Sequence, residues 1–79
     1  MFNSLSGEVT VREDERLCVV TGGVEWELAV SRKAAARFPA PGQPVRVYTY
    51  LLHRDDALKL YGFLDAAERG LFLDLLRVD

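Results

Sequence analysis

This sequence of 79 residues has one cysteine, one histidine and one tryptophan. A lone cysteine excludes an internal disulfide and fits a reducing cytoplasm. Cys18, inside the run RLCVVT, reads as a buried structural thiol. A lone histidine excludes any centre built from several imidazoles. No apolar run approaches the roughly 20 residues that span a bilayer, so no membrane partner is expected. The opening MFNSLSGEVTV lacks the basic stretch and apolar core of a secretory signal. Positive charge is also short: 10 Lys and Arg against 12 Asp and Glu leave a net charge of -2. A stand-alone DNA-binding module usually carries a basic excess, because phosphate contacts supply much of its affinity. Work on nucleic acid would therefore need help from another domain or subunit. No GxGxxG or GK[ST] loop, serine-nucleophile motif or activated-cysteine pattern is present.

What remains is enough for one domain. The apolar share of 49% fits a folded chain. A chain this short buries only roughly 60% of its unfolded surface, so a partner surface would add stability. In LSGEVTV, Leu5, Gly7, Val9 and Val11 alternate with polar residues, the pattern of a half-buried strand. Gly7 falls on the inward side, where a missing side chain lets a strand bend. The charged run REDER, residues 12–16, reads as a turn, and LCVVT as a second strand. Gly22-Gly23 then marks a hairpin into VEWELAV, with Val24, Trp26, Leu28 and Val30 on one side. Ser31 and the alanines after it predict a short helix over residues 31–38, ended by the proline-rich PAPGQP.

VRVYTYLLHR and LKLYGF read as a long hairpin. A four-residue loop over 54–57 would pair His53 with Leu58, Leu51 with Leu60, Tyr50 with Tyr61 and Tyr48 with Phe63. Both faces are then apolar for much of the length, which predicts cover on both sides. DAAERGLFLDLLRV opens with Asp65 and Glu68 at capping-box spacing. Leu71, Phe72, Leu75 and Leu76 form its apolar stripe, which leaves Leu73 outside. The pattern predicts a mainly β fold, a five- to six-stranded Greek-key barrel of OB type, with a short helix after strand 3 and a C-terminal helix. Residues 1–64 would form the barrel and residues 65–79 the closing helix.

The hairpin tip is the odd feature, because Asp55 and Asp56 stand side by side there. Catalytic carboxylate pairs need opposed or buried groups with separated pKa values, which a loop tip rarely supplies. His53 and Asp55 alone are too few for a metal site, so neither metal nor cofactor is expected. Trp26, Tyr48, Tyr50, Tyr61 and Phe63 read first as core or interface packing, with base stacking as the alternative. Composition and spacing stop at a small barrel with an acidic hairpin tip.

The run HRDDALKLYGF, residues 53–63, resembles the bacterial RuvA family, whose first domain carries an arginine–acid–acid–alanine turn before a Leu-Tyr-Gly-Phe strand. LSG, TGGVEWELAV, FPAPGQPVRVYTY and ERGLFLDLL are similar to other landmarks of that domain, in the same order. The resemblance implies an OB-fold domain of a non-catalytic DNA-binding subunit. Such subunits act with an ATP-driven RuvB-like motor to branch-migrate Holliday junctions in cytoplasmic recombination, DNA repair and the SOS response. Implied partners are four-way junction DNA, the chain itself as a homotetramer that can pair with a second tetramer, the motor, and a RuvC-like resolvase. By the same resemblance Asp55 and Asp56 form the acidic pin at the junction centre, with Arg54 beside them either offsetting some of the repulsion or holding a phosphate. Tyr48, Tyr50, Tyr61, Gly62 and Phe63 belong to the structural hairpin and its interface. The family continues into a helix–hairpin–helix domain that makes most duplex contacts and a mobile domain that meets the motor, so the closing helix would lead toward those parts. Glu25 stands where the family often has another glycine, and Ser4 and Ser6 stand where some members have arginine. Both departures lower direct DNA attraction by this domain. The alternatives are an OB-fold oligomerisation or protein-interaction module and a sequence-tolerant single-strand binder.

Overall fold

The computed structural model describes residues 3–76. The early alternation becomes an antiparallel meander of β1 (Ser4–Glu13), β2 (Arg16–Thr21) and β3 (Val24–Ala29). Glu13 pairs with Arg16, so the first turn is Asp14-Glu15 alone and most of REDER is strand. Gly22 and Gly23 close the second hairpin at φ of 57° and 82°. Two successive positive φ values give the turn whose twist matches that of the strands, and glycine takes them without a Cβ clash.

β1 does two jobs. Its first half, from Ser4 to Glu8, pairs with β4 (Pro44–Arg54), and its second half pairs with β2. Gly7 sits where it crosses: a Cβ there would lie 2.1 Å from the Val20 carbonyl oxygen. A register shift between Val9 and Val11 sharpens the bend. The loop before β4 absorbs the backbone groups released there. Val9 N–H donates to the Gln43 carbonyl at 3.0 Å, and Gly42 N–H donates to the Val9 carbonyl at 2.8 Å. β5 (Ala57–Phe63) pairs antiparallel with β4 and touches β3 in parallel at Ala29–Tyr61. The result is a closed five-stranded barrel in the order β1-β2-β3-β5-β4. With a helix between β3 and β4, it is an OB-type fold, and the strand number settles at five.

Val9, Leu17, Val19, Leu28 and Val47 fill the barrel without solvent exposure, and Cys18, outside that cluster, is buried as well. Burial pushes the Cys18 thiol above its ordinary pKa, which suits a structural role. α1 (Arg32–Arg37) plugs one end with Ala34, Ala35 and the following Phe38. The Ser31 hydroxyl caps it by accepting from Ala34 N–H at 3.0 Å. Phe38 leaves the helix at φ −71°, ψ 153°, as a residue before proline must. Arg12 donates to its carbonyl at 2.6 Å.

The β4–β5 register is the expected one, including Tyr48–Phe63, Tyr50–Tyr61, Leu51–Leu60 and His53–Leu58. The turn is shorter than expected: Arg54 pairs with Ala57, leaving only Asp55 and Asp56 between them. The inner face is buried at Val47, Thr49 and Gly62, and the outer face is covered by α2 (Ala66–Leu76). Cover on both sides ends before the tip, where residues 53–59 are exposed.

The Asp65 carboxylate caps α2 by accepting from Glu68 N–H at 2.9 Å, and Glu68 accepts from Leu64 N–H at 3.2 Å. The rotation of α2 corrects the predicted stripe. Phe72 wedges against Tyr50, Tyr61 and Phe63 at centroid distances of 6.0, 4.9 and 5.1 Å. Arg69 donates to the Thr49 carbonyl at 3.2 Å. These contacts turn Arg69, Phe72 and Leu73 toward the sheet and leave Leu71 66% and Leu75 71% exposed. Leu73, left outside by the simple stripe, is half-buried. The predicted continuation of the helix to Asp79 lies, past Leu76, outside the described residues.

Two glycines should respond oppositely to the same change. Gly7→Ala drives a methyl into backbone and is expected to cost about 2 kcal/mol or more. Gly70→Ala, inside α2 with nothing within 4 Å of the new methyl, is expected to gain about 1 kcal/mol. Urea unfolding of both variants measures this. Phe72→Ala should cost about 2 kcal/mol, less than a fully buried ring, and should speed amide exchange in β4 and β5 more than in β2.

Candidate functional site

β4 is the longest strand, and its pairing with β5 runs from Tyr48–Phe63 out to Arg54–Ala57. The hairpin therefore outruns the barrel and carries Asp55 and Asp56 at its end, both exposed. A two-residue turn forces unusual backbone. Asp55 takes φ 42°, a left-handed conformation that Asp tolerates better than most side chains.

Neither aspartate side chain has an ion pair or hydrogen bond among the described residues. Other acids do. Arg16 bonds to Glu27 and, at 2.9 Å, to Glu13, and these two partners raise its pKa further above the ordinary range. Thr10 donates to Glu25. Two like charges about 4 Å apart in bulk water repel by about 1 kcal/mol, which a solvated turn can tolerate. The apex is thus a bare negative point with no attractive partner among the described residues.

The predicted hairpin residues divide by role. Tyr50, Tyr61 and Phe63 gather around Phe72. Tyr48 lies under Arg46, whose guanidinium is 5.0 Å from the ring centroid. Gly62 lets β5 press against the core: a Cβ there would come within 2.9 Å of Val47. Trp26 is half-buried and packs on the core. His53 is exposed, and no three His, Cys, Asp or Glu side chains converge among the described residues.

Two surfaces escape a reading by strand pattern alone. An apolar groove of about 840 Å³ lies beside the β3–β5 seam, lined in part by Val30, Ala34, Leu60, Leu71 and Leu75, with Leu58 at 68% exposure. On the outer flank of the hairpin a depression of about 370 Å³ brings Arg54 and Lys59 together beside Phe72 and Leu76. The signal for the second was available, because pairing Leu52 with Lys59 puts Lys59 on the same face as Arg54. Without the path of α2 nothing singles it out.

Residues 1–62 match the family model described as RuvA N terminal domain. The chain is 52% identical over 79 residues to the Holliday junction branch migration complex subunit RuvA of Treponema pallidum (strain Nichols), covering all of this chain and 35% of that protein. The same-named protein of Treponema denticola is 44% identical over the whole chain, with 39% of its length covered. That of Symbiobacterium thermophilum is 43% identical, with 38% covered. The chain spans a little over a third of the length of these curated relatives. A barrel that fits the expected OB domain, a family model matched over most of the chain, and relatives similar along all of it agree: the chain belongs to the RuvA family, in the part that corresponds to its N-terminal domain.

Proposed function

We propose that this chain is the junction-facing and assembly domain of a Holliday junction branch-migration subunit, with Asp55 and Asp56 as an acidic pin. The observation that carries the reading is the apex itself: two exposed, unpaired carboxylates on a hairpin that outruns its barrel. A four-fold assembly of this chain brings eight such carboxylates around one axis. At an effective dielectric near 20, charges 4 Å apart interact by about 4 kcal/mol, so strand phosphates near the axis are strongly repelled. The pin opposes intact duplex at the crossover and limits over-tight binding. It is not an affinity device.

The apolar groove and the exposed Leu58, Leu71 and Leu75 support the assembly half of the reading. A monomer gains nothing from such a surface, whereas neighbouring copies in a homotetramer would cover it. Duplex grip then falls to a helix–hairpin–helix domain beyond α2, and the RuvB-like motor and a RuvC-like resolvase are the further partners, all in the cytoplasm. The domain performs no chemistry of its own. The groove equally supports an OB module devoted to protein contacts, which stands as the second reading. The single-strand reading is weaker, because Phe72 packs against three of the rings it would use.

In the full-length protein, Asp55→Asn with Asp56→Asn is expected to keep or raise affinity for a four-way junction while changing the branch-migration rate. Gel shift and a strand-exchange assay measure the two. A clear loss of junction affinity contradicts the pin. Residues 1–79 alone should bind junction DNA at least tenfold more weakly than the full-length protein at 100 mM salt, because the short chain has no basic excess. Tight, salt-sensitive binding by the short chain would favour the single-strand reading.

A further inference from the structure

The hairpin tip has two charge poles. Its apex carries Asp55 and Asp56. Its outer flank carries Arg54 and Lys59, which line the 370 Å³ depression together with Leu52, Ala57 and Leu76. The aspartates do not line that depression. Ion pairs among the described residues join Arg16 to Glu13 and Glu27, and Arg37 to Glu68, so Arg54 and Lys59 have no carboxylate within pairing distance. Four charged side chains therefore crowd one hairpin end without neutralising one another. Lys59 is also oriented: its ammonium lies 5.5 Å from the centroid of the Tyr61 ring, the attractive side of an aromatic for a cation. Tyr61 is in turn held by Phe72.

We infer that the Arg54–Lys59 flank is a seat for one backbone phosphate of a DNA strand that the apex turns aside. The proposal rests on the junction reading above. The chemistry of the seat fits a phosphodiester in three ways. Two cations line one depression, which suits a single anion. A guanidinium forks onto two phosphate oxygens, whereas an ammonium adds a mobile point charge. The apolar wall from Leu52, Ala57 and Leu76 suits a deoxyribose better than open water does. Among the described residues, Lys59 also borders the neighbouring groove, where Glu15, Glu27 and Glu68 oppose part of its charge. The apex opposes as well, and it acts along the hairpin rather than inside the depression. A strand approaching the tip is pushed off the end and drawn to the side, which turns two opposite charges into a guide with a direction.

The test uses the full-length protein, a four-way junction and fluorescence anisotropy from 50 to 200 mM NaCl. Arg54→Gln with Lys59→Gln is expected to make the slope of log affinity against log salt shallower by about 0.9 for each phosphate no longer neutralised. The affinity ratio across that salt range then shrinks by about threefold per phosphate. Lys59→Arg should restore the slope. Lys59→Gln alone, at an exposed position, carries the test if the double variant does not fold. A folded variant with an unchanged slope, while the wild-type protein binds the junction, overturns the seat alone. A wild-type protein that does not bind the junction overturns both the parent reading and the seat. Loss of motor binding or of assembly with an unchanged slope assigns the two cations to a protein partner and also overturns the seat.

Discussion

At Gly7 the backbone of β1 passes so close to the Val20 carbonyl that a single methyl group would have to occupy its space. That approach lets one strand serve two neighbours, β4 at its start and β2 at its end. Without it the meander and the long hairpin would be two open sheets with exposed edges, a poor state for a short chain. A second close approach, at Gly62, draws β5 against Val47, Val30 and Leu28 and makes the short parallel seam with β3. The barrel closes because two strands lack a side chain where they cross the core.

Closure leaves the end of the β4–β5 hairpin standing outside the barrel. An isolated two-stranded ribbon is marginal in water, so its base needs bracing. Phe72 supplies this by packing on rings from both strands, and Arg69 ties α2 to the Thr49 carbonyl. The tip is therefore aimed by a helix that follows it in the chain. Whatever the tip meets, its direction is set by contacts between α2 and the hairpin base rather than by the tip itself.

Much of this was legible from residue pattern. Alternation located the strands, Gly22-Gly23 located a hairpin, and matched apolar positions fixed the β4–β5 register pair by pair. What escaped depended on distant partners. A two-residue turn satisfies the same register as a four-residue loop, because only the Arg54–Ala57 pair separates them. The rotation of α2 follows from Arg69 and Phe72 meeting β4 and β5, and helical periodicity cannot choose between apolar faces of similar strength. The aspartate pair stood out because like charges side by side ask for a reason. Lys59 did not, because one cation on a strand asks for none until a helix closes a wall beside it.

The left-handed backbone of Asp55 has a consequence of its own. Glycine and asparagine adopt that conformation at least as readily as aspartate. The turn therefore does not need a carboxylate, and the carboxylate is not there to make the turn. Shape and charge at the apex are separate inheritances: a lineage can raise, lower or abolish the local field while the hairpin stays folded. A trait that the scaffold leaves this free is held in place only by what the apex faces.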